Sequence, residues 1–383
     1  MPRLLITGGQ VLTPDGMAET EVALDGGVIT GVGTGGAGAR IDARGLVVLP
    51  GIVDLHGDAF ERQVQPRPGV DFPMALALAE TERQLLANGI TTAFHGVTLS
   101  WEPGLRSAVS WRALLDGLAS QAWSCDMRVH LRWEAYNLAA LDMATGDIAA
   151  GRVHLLAFND HTPVILRRMD DPLKASRYSD RAGMKLEEFR VLAALVGTRA
   201  AEVPAGLERI AIAARAAGLP MASHDDDVVA TRNHFRGLGA HVCEFPMEEA
   251  VGAAARAAGD AVVMGSPNVV RGGSHLGWAS AADLSEAGVC SVLSSDYYYP
   301  CMMQAAFILA GRGVLGLDQA WALISSNPAA AGGLADRGAI AAGRRGDLVL
   351  VSTAGGAPRA VLTIAGGAVV HVAAGGWERI TSH

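Results

Sequence analysis

The sequence predicts an α/β fold in which eight parallel strands close into a (β/α)8 barrel. Short apolar runs follow one another along residues 51–296, with helical or loop-like segments between them. Strands that alternate with helices are typical of βα units and a parallel sheet, and a closed barrel of this kind needs eight strands. In order, the runs are GIVDLHGD, TTAFHGV, MRVHLRWE, VHLLAFNDH, LPMASHDDD, HVCEFP, AVVMGSPN and CSVLSSD.

The segments around the barrel strands have their own patterns. Both ends of the chain carry short apolar runs broken by glycines, such as LLITGGQVL and RRGDLVLVS, which predict strands joined by tight turns. Within the barrel, the patterns over 74–88 and 205–217 predict helices. The long excursion over 165–204 is predicted to act as a substrate lid. Its stretch 167–180, RRMDDPLKASRYSD, is not expected to form regular structure.

Composition restricts the class of protein. Half of the 383 residues are hydrophobic and 18% are charged, so the chain can bury a large core. A net charge of −8 without a basic run argues against nucleic acid as a partner. No run approaches the roughly 20 apolar residues of a membrane helix, and the first residues carry too short an apolar run for a signal peptide. The four cysteines lack C-x-x-C spacing. We therefore expect a soluble, cytoplasmic protein that acts on a small molecule.

Polar residues gather where the apolar runs end. In such barrels the C-terminal ends of the strands form the active site, whereas a single polar residue there could simply cap a helix. Several imidazole and carboxylate groups at one rim favour one or two divalent metal ions, with Zn preferred and Mn or Fe as alternatives. The strand-end residues are His56, Asp58, Glu134, His161, His224, Glu244 and Asp296. We predict that the first ligands are His56, Asp58, His224 and Asp296.

More specific motifs point to a known family. They are DLHGDAFERQVQPRPGV, SHDDD, EFPMEEA, MGSPNVVRGGSH and LSSDYYYP. With these motifs the chain resembles the amidohydrolase superfamily and, within it, the branch that takes part in phosphonate utilisation. The resemblance implies a TIM-like barrel at 51–330 and a small β-sandwich built from 1–50 and 331–383. It also implies metal-dependent hydrolysis that releases pyrophosphate from a ribose alkylphosphonate 5-triphosphate.

The resemblance also implies roles for the strand-end residues. Asp296 is expected to be both a metal ligand and the general base. Many relatives bridge two ions with a carbamylated lysine, but the only lysines here are Lys174 and Lys185, both in the excursion. Glu134 is therefore the predicted bridge, because a carboxylate offers two oxygens as a carbamate does. His161 is either a further ligand or a histidine that contacts the substrate.

The remaining polar residues are interpreted as substrate contacts or as packing. In NVVRGGSH, paired glycines let the backbone approach an anion, and Arg271 and His275 are predicted to bind it together with Asn268. Arg67, between prolines, is a second predicted phosphate contact, although either arginine could be an ordinary surface residue. Glu244 is interpreted as a ligand, as a residue that orients a ligand or as a substrate contact. Three histidines are assigned to packing: His95, His130 and His154.

Departures from the motifs of the branch leave the substrate open. Gln63 stands where the branch has a histidine, and VILRRMDD follows DHTP in place of a Gly/Gln-rich loop. Apolar residues at Val164–Leu166, Leu276 and Trp278 favour an alternative, a metal-dependent hydrolase of an N-acyl or cyclic amide. A third interpretation, a non-catalytic barrel scaffold, is disfavoured because every type of ligand is present. The sequence leaves the oligomeric state open, including a homo-oligomer.

Overall fold

The structure, a computed structural model, describes residues 3–273 and 279–381, and its strands form two sheets. The first strands are β1 (Leu4–Thr13), β2 (Gly16–Asp25), β3 (Val28–Val32), β4 (Ala39–Asp42) and β5 (Val47–Pro50). The barrel strands are β6 (Ile52–Gly57), β7 (Ile90–Leu99), β8 (Asp126–Glu134), β9 (Leu155–Asn159), β10 (Met221–His224), β11 (Val242–Glu244), β12 (Ala261–Gly265) and β13 (Val292–Ser294). The last strands are β14 (Leu348–Ser352), β15 (Arg359–Ala365), β16 (Ala368–Val372) and β17 (Ile380–Thr381).

Both ends of the chain contribute to one mixed sheet outside the barrel. Its strand order is β16-β15-β14-β5-β1-β2-β3, and β4 joins it by pairing with β1 and β17. The two ends meet at β14 and β5, which pair antiparallel with Leu348 opposite Pro50. Buried side chains of this sheet, among them Ile6, Val48 and Leu350, form a core separate from those of the barrel.

The eight barrel strands lie parallel and follow sequence order from β6 to β13. The barrel closes between β6 and β13, where Gly57 pairs with Asp296. Two backbone hydrogen bonds make the closure: the Asp296 N–H donates to the His56 carbonyl, and the Asp58 N–H donates to the Asp296 carbonyl, each at 2.9 Å. The predicted fold, a (β/α)8 barrel beside a small domain built from both chain ends, is confirmed.

Apolar and polar side chains occupy different levels of the barrel interior. Most barrel strands contribute to one buried apolar cluster, which contains Val53, Leu55, Phe94, Leu155, Ala157, Ala222, Val242, Val263 and Val292. Two residues beyond Ala222 and Val242 come His224 and Glu244, and the period of two keeps these side chains on the same side of the strand. The carboxyl ends of the strands therefore direct polar groups into the mouth of the barrel.

Helices connect the strands and surround the barrel. The first are α1 (Glu61–Val64), α2 (Met74–Ala87), α3 (Ala108–Ala119), α4 (Leu141–Ala149), α5 (Thr162–Arg168), α6 (Pro172–Ala182), α7 (Leu186–Gly197) and α8 (Val203–Ala216). The others are α9 (Val229–Gly237), α10 (Glu249–Ala257), α11 (Ser266–Arg271), α12 (Ala281–Glu286), α13 (Cys301–Gly311), α14 (Leu317–Ala322) and α15 (Ser326–Ala331). The helices predicted over 74–88 and 205–217 are confirmed as α2 and α8. Among the described residues, no helix combines the length and the apolar character needed to cross a membrane.

The excursion after β9 forms α5, α6 and α7, so the expectation that 167–180 lacks regular structure is wrong. Helix α6 begins after Asp171, whose carboxylate accepts hydrogen bonds from the backbone N–H groups of Leu173 and Lys174. It ends at Gly183, which adopts a left-handed conformation with φ of 63°. The buried face of α6 consists of small residues among many charged ones, and this composition hides the helical period in the sequence. The buried residues are Ala175, Ser179 and Ala182.

A β-bulge in β6 adjusts the direction of His56. Asp54 and Gly57 are three residues apart on β6, but they pair with residues only two apart on β7. Leu55 belongs to the apolar interior cluster, and His56, the next residue, also contacts side chains inside the barrel. The Asp54 carboxylate accepts hydrogen bonds from the Ser295 N–H at 3.0 Å and the Ser295 hydroxyl at 2.5 Å. A Cβ at Gly57 would lie 2.6 Å from an Asp54 oxygen and 2.8 Å from the Ser295 hydroxyl, so only glycine fits there.

We expect Gly57→Ala to destabilise the protein by about 1–3 kcal/mol, because the added methyl group must displace Asp54 or Ser295. Thermal unfolding followed by circular dichroism should give a lower midpoint than that of the wild type. Gly146→Ala is the matched control, since a Cβ at Gly146 in α4 meets no atom within 4 Å. Alanine should stabilise that helix by about 1 kcal/mol. A Gly57→Ala midpoint at or above the wild-type value would contradict tight packing at the closure.

Candidate metal centre and active site

A buried carboxylate and three imidazoles meet inside the mouth of the barrel. Glu244 on β11 is fully buried, and His56, His130 and His224 are at most 9% exposed. His56 Nδ1 lies 3.2 Å from one oxygen of Glu244, and His130 Nε2 lies 3.6 Å from the other. Neither contact is aligned as a hydrogen bond, and within the described residues no donor reaches either oxygen of Glu244.

The tautomer of His130 indicates that this arrangement can bind a cation. His130 Nδ1 lies 3.2 Å from the Leu55 carbonyl. A carbonyl can only accept, so Nδ1 carries the proton and Nε2 turns a lone pair toward Glu244. A buried carboxylate without a donor is costly, and a cation between facing lone pairs removes that cost. Two ligands of a tetrahedral Zn²⁺ with bonds of about 2.1 Å lie roughly 3.4 Å apart, which is close to the observed spacings. The residues therefore fit a divalent ion.

Two groups of side chains have ligand atoms within 4.8 Å of one another, and both include His224. His56, His224 and Glu244 form the first group, and His161, His224 and Asp225 form the second. In the second group an Asp225 oxygen lies 3.4 Å from His161 Nε2 and 3.2 Å from His224 Nδ1. Sequence reasoning missed Asp225, because a run of three aspartates does not indicate which carboxylate turns into the barrel.

Glu134 and His161 lie against each other beside the second group, to which His161 belongs. One Glu134 oxygen accepts from the Thr162 N–H at 3.1 Å and from its hydroxyl at 2.7 Å, and the other lies 3.4 Å from the His161 N–H, which donates to it. Burial alone would lower the pKa of His161, but Asp225 and Glu134 on its two sides raise this pKa to about 9. His161 shares the second group with His224, Glu134 belongs to neither group, and the role of both as ligands stays a prediction.

Sequence reasoning also missed Arg132, which lies at the centre of the site and is 7% exposed. Its Nη2 donates to His224 Nε2 at 3.0 Å, and its Nη1 lies 3.8 Å from an Asp58 oxygen. Gly96 on the neighbouring strand lies beside it, and a Cβ there would make an ordinary contact of 3.5 Å with Arg132 Cδ. The signal was present in the sequence: every second residue of β8 from 128 to 134 is polar or charged, and such a period places them on one side of the strand.

A cavity of about 270 Å³ opens beside these residues. Its lining includes the four residues predicted as first ligands: His56, Asp58, His224 and Asp296. Three lining residues, Asp225, Phe245 and Asp296, have left-handed backbones with φ of 58°, 52° and 54°. They are the only non-glycine residues with positive φ in the described part of the chain. Such conformations cost roughly 1–3 kcal/mol each and cluster at functional sites.

Burial opposes the ionisation of the carboxyl groups around the cavity. It raises the pKa of Asp58 to about 7 and that of Asp296 to about 6. Burial also raises the pKa of Glu244, and in all three cases the positive charge of Arg132 acts in the opposite direction. Carboxylates in this situation gain when a cation approaches, because the cation favours their charged form.

The predicted substrate contacts divide into residues at the cavity and residues away from it. Asn268 and Arg271 line the cavity. The side-chain amide of Asn268 donates to the Ala279 carbonyl and accepts from the Ala281 N–H. Arg271 Nη1 donates to the Tyr297 hydroxyl at 3.4 Å. Arg67 lies in an exposed turn and is not among the described lining residues. His275 falls outside the described residues.

No family model matches the chain. The alpha-D-ribose 1-methylphosphonate 5-triphosphate diphosphatase of Escherichia coli (strain K12) is 31% identical over 320 residues, which cover 81% of this chain and 84% of that protein. An allantoinase of Solibacter usitatus (strain Ellin6076) is 40% identical over 105 residues, 27% of this chain and 21% of that protein. A solved structure, an amidohydrolase from an environmental sample of the Sargasso Sea, matches 97% of this chain and 93% of its own with a TM-score of 0.65 at 18% identity.

These similarities differ in what they establish. The Sargasso Sea structure shows the fold alone, because its sequence identity is low. The E. coli diphosphatase matches along most of both chains at an identity that indicates common descent. The chain belongs to the amidohydrolase superfamily and, within it, to the family of alpha-D-ribose 1-methylphosphonate 5-triphosphate diphosphatases.

Proposed function

We propose that this chain is a divalent-metal-dependent hydrolase that releases pyrophosphate from a ribose alkylphosphonate 5-triphosphate in phosphonate metabolism. The observation that carries the proposal is the presence of two arginines at the candidate metal site: Arg132 and Arg271 line the same cavity as His56 and Asp296. A triphosphate brings several anionic charges, which need cationic partners when they leave water. The relation to the E. coli diphosphatase supports the same class of substrate.

The ion, with Zn²⁺ preferred over Mn²⁺ or Fe²⁺, would be held around the His56–Glu244 pair. His224 belongs to the same group of ligand atoms, and Asp296 faces the cavity beside it. When bound, such an ion activates a water molecule and polarises a phosphoryl oxygen. Asp58, Glu134 and His161 are further proposed ligands.

The chain's own residues would position the substrate and move the proton. Arg271, in the last turn of α11, and Arg132 would bind phosphate oxygens from two sides of the cavity. Asp296, whose backbone is fixed by the barrel closure, would take the proton from the attacking water. Phe245 lines the cavity and would limit the access of bulk water to this face.

A metal-dependent amide hydrolase is the second candidate, and one observation favours it. Part of the cavity lining is apolar: Phe245, Pro246, Met264 and Pro267. The residues Val164–Leu166 no longer support this candidate, because Ile165 is buried in the core of the α5–α7 excursion. None of the described lining residues belongs to that excursion, so the proposed lid also lacks support. Leu276 and Trp278 lie outside the described residues.

We expect Arg271→Ala to lower kcat/KM for a nucleotide-like triphosphate at least about tenfold, roughly 1.4 kcal/mol of transition-state binding, because a cationic contact to phosphate is lost. Pyrophosphate release by the metal-loaded enzyme is the measurement. Arg359→Ala, at an exposed position on β15, should leave the rate unchanged. Hydrolysis of N-acyl amino acids or cyclic amides without any pyrophosphate release would end the phosphoanhydride proposal.

Glu244→Gln should weaken metal binding by about 10–100-fold or more, because the neutral amide removes the buried negative charge that the ion neutralises. Metal content after dialysis, measured by elemental analysis, tests this. Glu248→Gln changes an exposed carboxylate four residues away and is expected to retain the metal. If Glu244→Gln retained it as well, Glu244 would not be a ligand.

The double variant Lys174→Arg with Lys185→Arg should keep the wild-type metal content. Both lysines lie in the excursion, and Lys174 is 60% exposed and paired with Asp171 at 3.1 Å. Glu134→Gln should reduce the metal content, as expected if this carboxylate takes the place of a carbamylated lysine. Loss of metal from the lysine variant alone would reverse the assignment of Glu134.

A further inference from the structure

We propose that Arg132 is the second cation of the site, so that the chain holds one divalent ion and not two. The sequence leaves one ion or two open, and nothing in it assigns a role to Arg132. The inference rests on the metal dependence in the proposed function and revises its ligand set, because with one ion Asp58 is a partner of Arg132 and Glu134 does not bridge two ions.

Arg132 contacts two of the predicted metal ligands, His224 and Asp58. Its Nη2 donates to His224 Nε2 at 3.0 Å, and its Nη1 lies 3.8 Å from an Asp58 oxygen. A guanidinium has no lone pair to offer, so the lone pair of His224 Nε2 must point at Arg132. A second ion that used His224 Nε2 and Asp58 would have to displace the guanidinium.

The guanidinium is fixed in place and keeps its charge. Arg132 is 7% exposed, and its guanidinium is held by the hydrogen bond to His224 and the contact with Asp58. An arginine does not lose its proton in the physiological range. A second divalent ion beside it would also be repelled, since both carry positive charge.

Of the two groups of ligand atoms, only the first keeps a pair of predicted ligand atoms without a hydrogen-bond partner, because in the second group His161 Nε2 donates to the Asp225 carboxylate at 3.4 Å. His56 Nδ1 and the nearer Glu244 oxygen lie 3.2 Å apart, and within the described residues neither has a hydrogen-bond partner. Arg132 donates to neither of them. The site therefore divides into a place for one divalent ion at His56 and Glu244 and a place for a guanidinium at His224 and Asp58.

Metal stoichiometry after loading with Zn²⁺ and removal of free ion tests the inference. We expect about one ion per wild-type chain, about two per Arg132→Met chain and about one per Arg132→Lys chain, in which the charge is kept. Arg128→Met is the matched control: Arg128 lies on the same strand, pairs with Asp126 and should not change the count. An Arg132→Met chain that folds and still binds one ion would overturn the inference.

A second measurement on the wild type needs no variant. The Mn²⁺-loaded protein should give the electron paramagnetic resonance spectrum of a magnetically isolated ion. A spin-coupled pair, or two Zn²⁺ ions per wild-type chain, would overturn the inference and leave the proposed metal dependence intact. A wild-type chain that binds neither Zn²⁺ nor Mn²⁺ would instead overturn the proposed function and the inference together.

Discussion

The closure of the barrel between its first and last strands is the constraint on which the site depends. The two hydrogen bonds that join β6 to β13 also bring the backbones of His56, Asp58 and Asp296 together. Asp54, buried beside them, accepts from the backbone and the hydroxyl of Ser295, the residue before Asp296. Burial raises the pKa of Asp54 to about 6, and these hydrogen bonds act against that rise. A buried carboxylate that only stabilised the fold could be replaced by an apolar residue. Here it also accepts from the backbone N–H of His56 and so links two of the segments that carry candidate ligands.

The charged groups in the mouth of the barrel lie at two different depths. Glu244 and the histidines around it lie below the cavity floor or at it, where water does not reach the carboxylate. Arg132 and Asp296 lie at the cavity wall, where a substrate can contact them. An ion bound at the deeper level would contact Glu244 and His56 Nδ1, which have no hydrogen-bond partner among the described residues. The same arrangement leaves the outer charges free to act on the substrate, and it explains why one arginine affects the pKa of so many neighbouring groups.

The sequence predicts this fold well because polar residues repeatedly follow short apolar runs at the ends of the strands. His56, His224 and Asp296 each follow an apolar run, and the structure brings all three to one cavity. The sequence did not predict Arg132 and Asp225 as site residues, and there is a physical reason in each case. An arginine inside a strand is usually interpreted as a surface residue. The left-handed backbone at Asp225 accompanies a hydrogen bond from its N–H to the Glu244 carbonyl on β11, which the local sequence does not indicate. The bulge in β6 is also not indicated by the sequence, because it lies in the pairing with β7, and Asp54 at its start contacts Ser295, more than two hundred residues away.

The lining of the cavity combines two kinds of element. The candidate metal ligands and Arg132 stand on strands or directly after them, where the barrel fixes their positions. Other lining residues, among them Arg271, lie on short helices and loops. Tyr297 connects two of these, because Arg271 donates to its hydroxyl and the Arg62 guanidinium lies 5.8 Å from its ring centre. Gln63, which departs from the motif of the branch, is the neighbour of Arg62 in α1. Changes in these loops can therefore alter the shape of the cavity while the groups on the strands keep their positions.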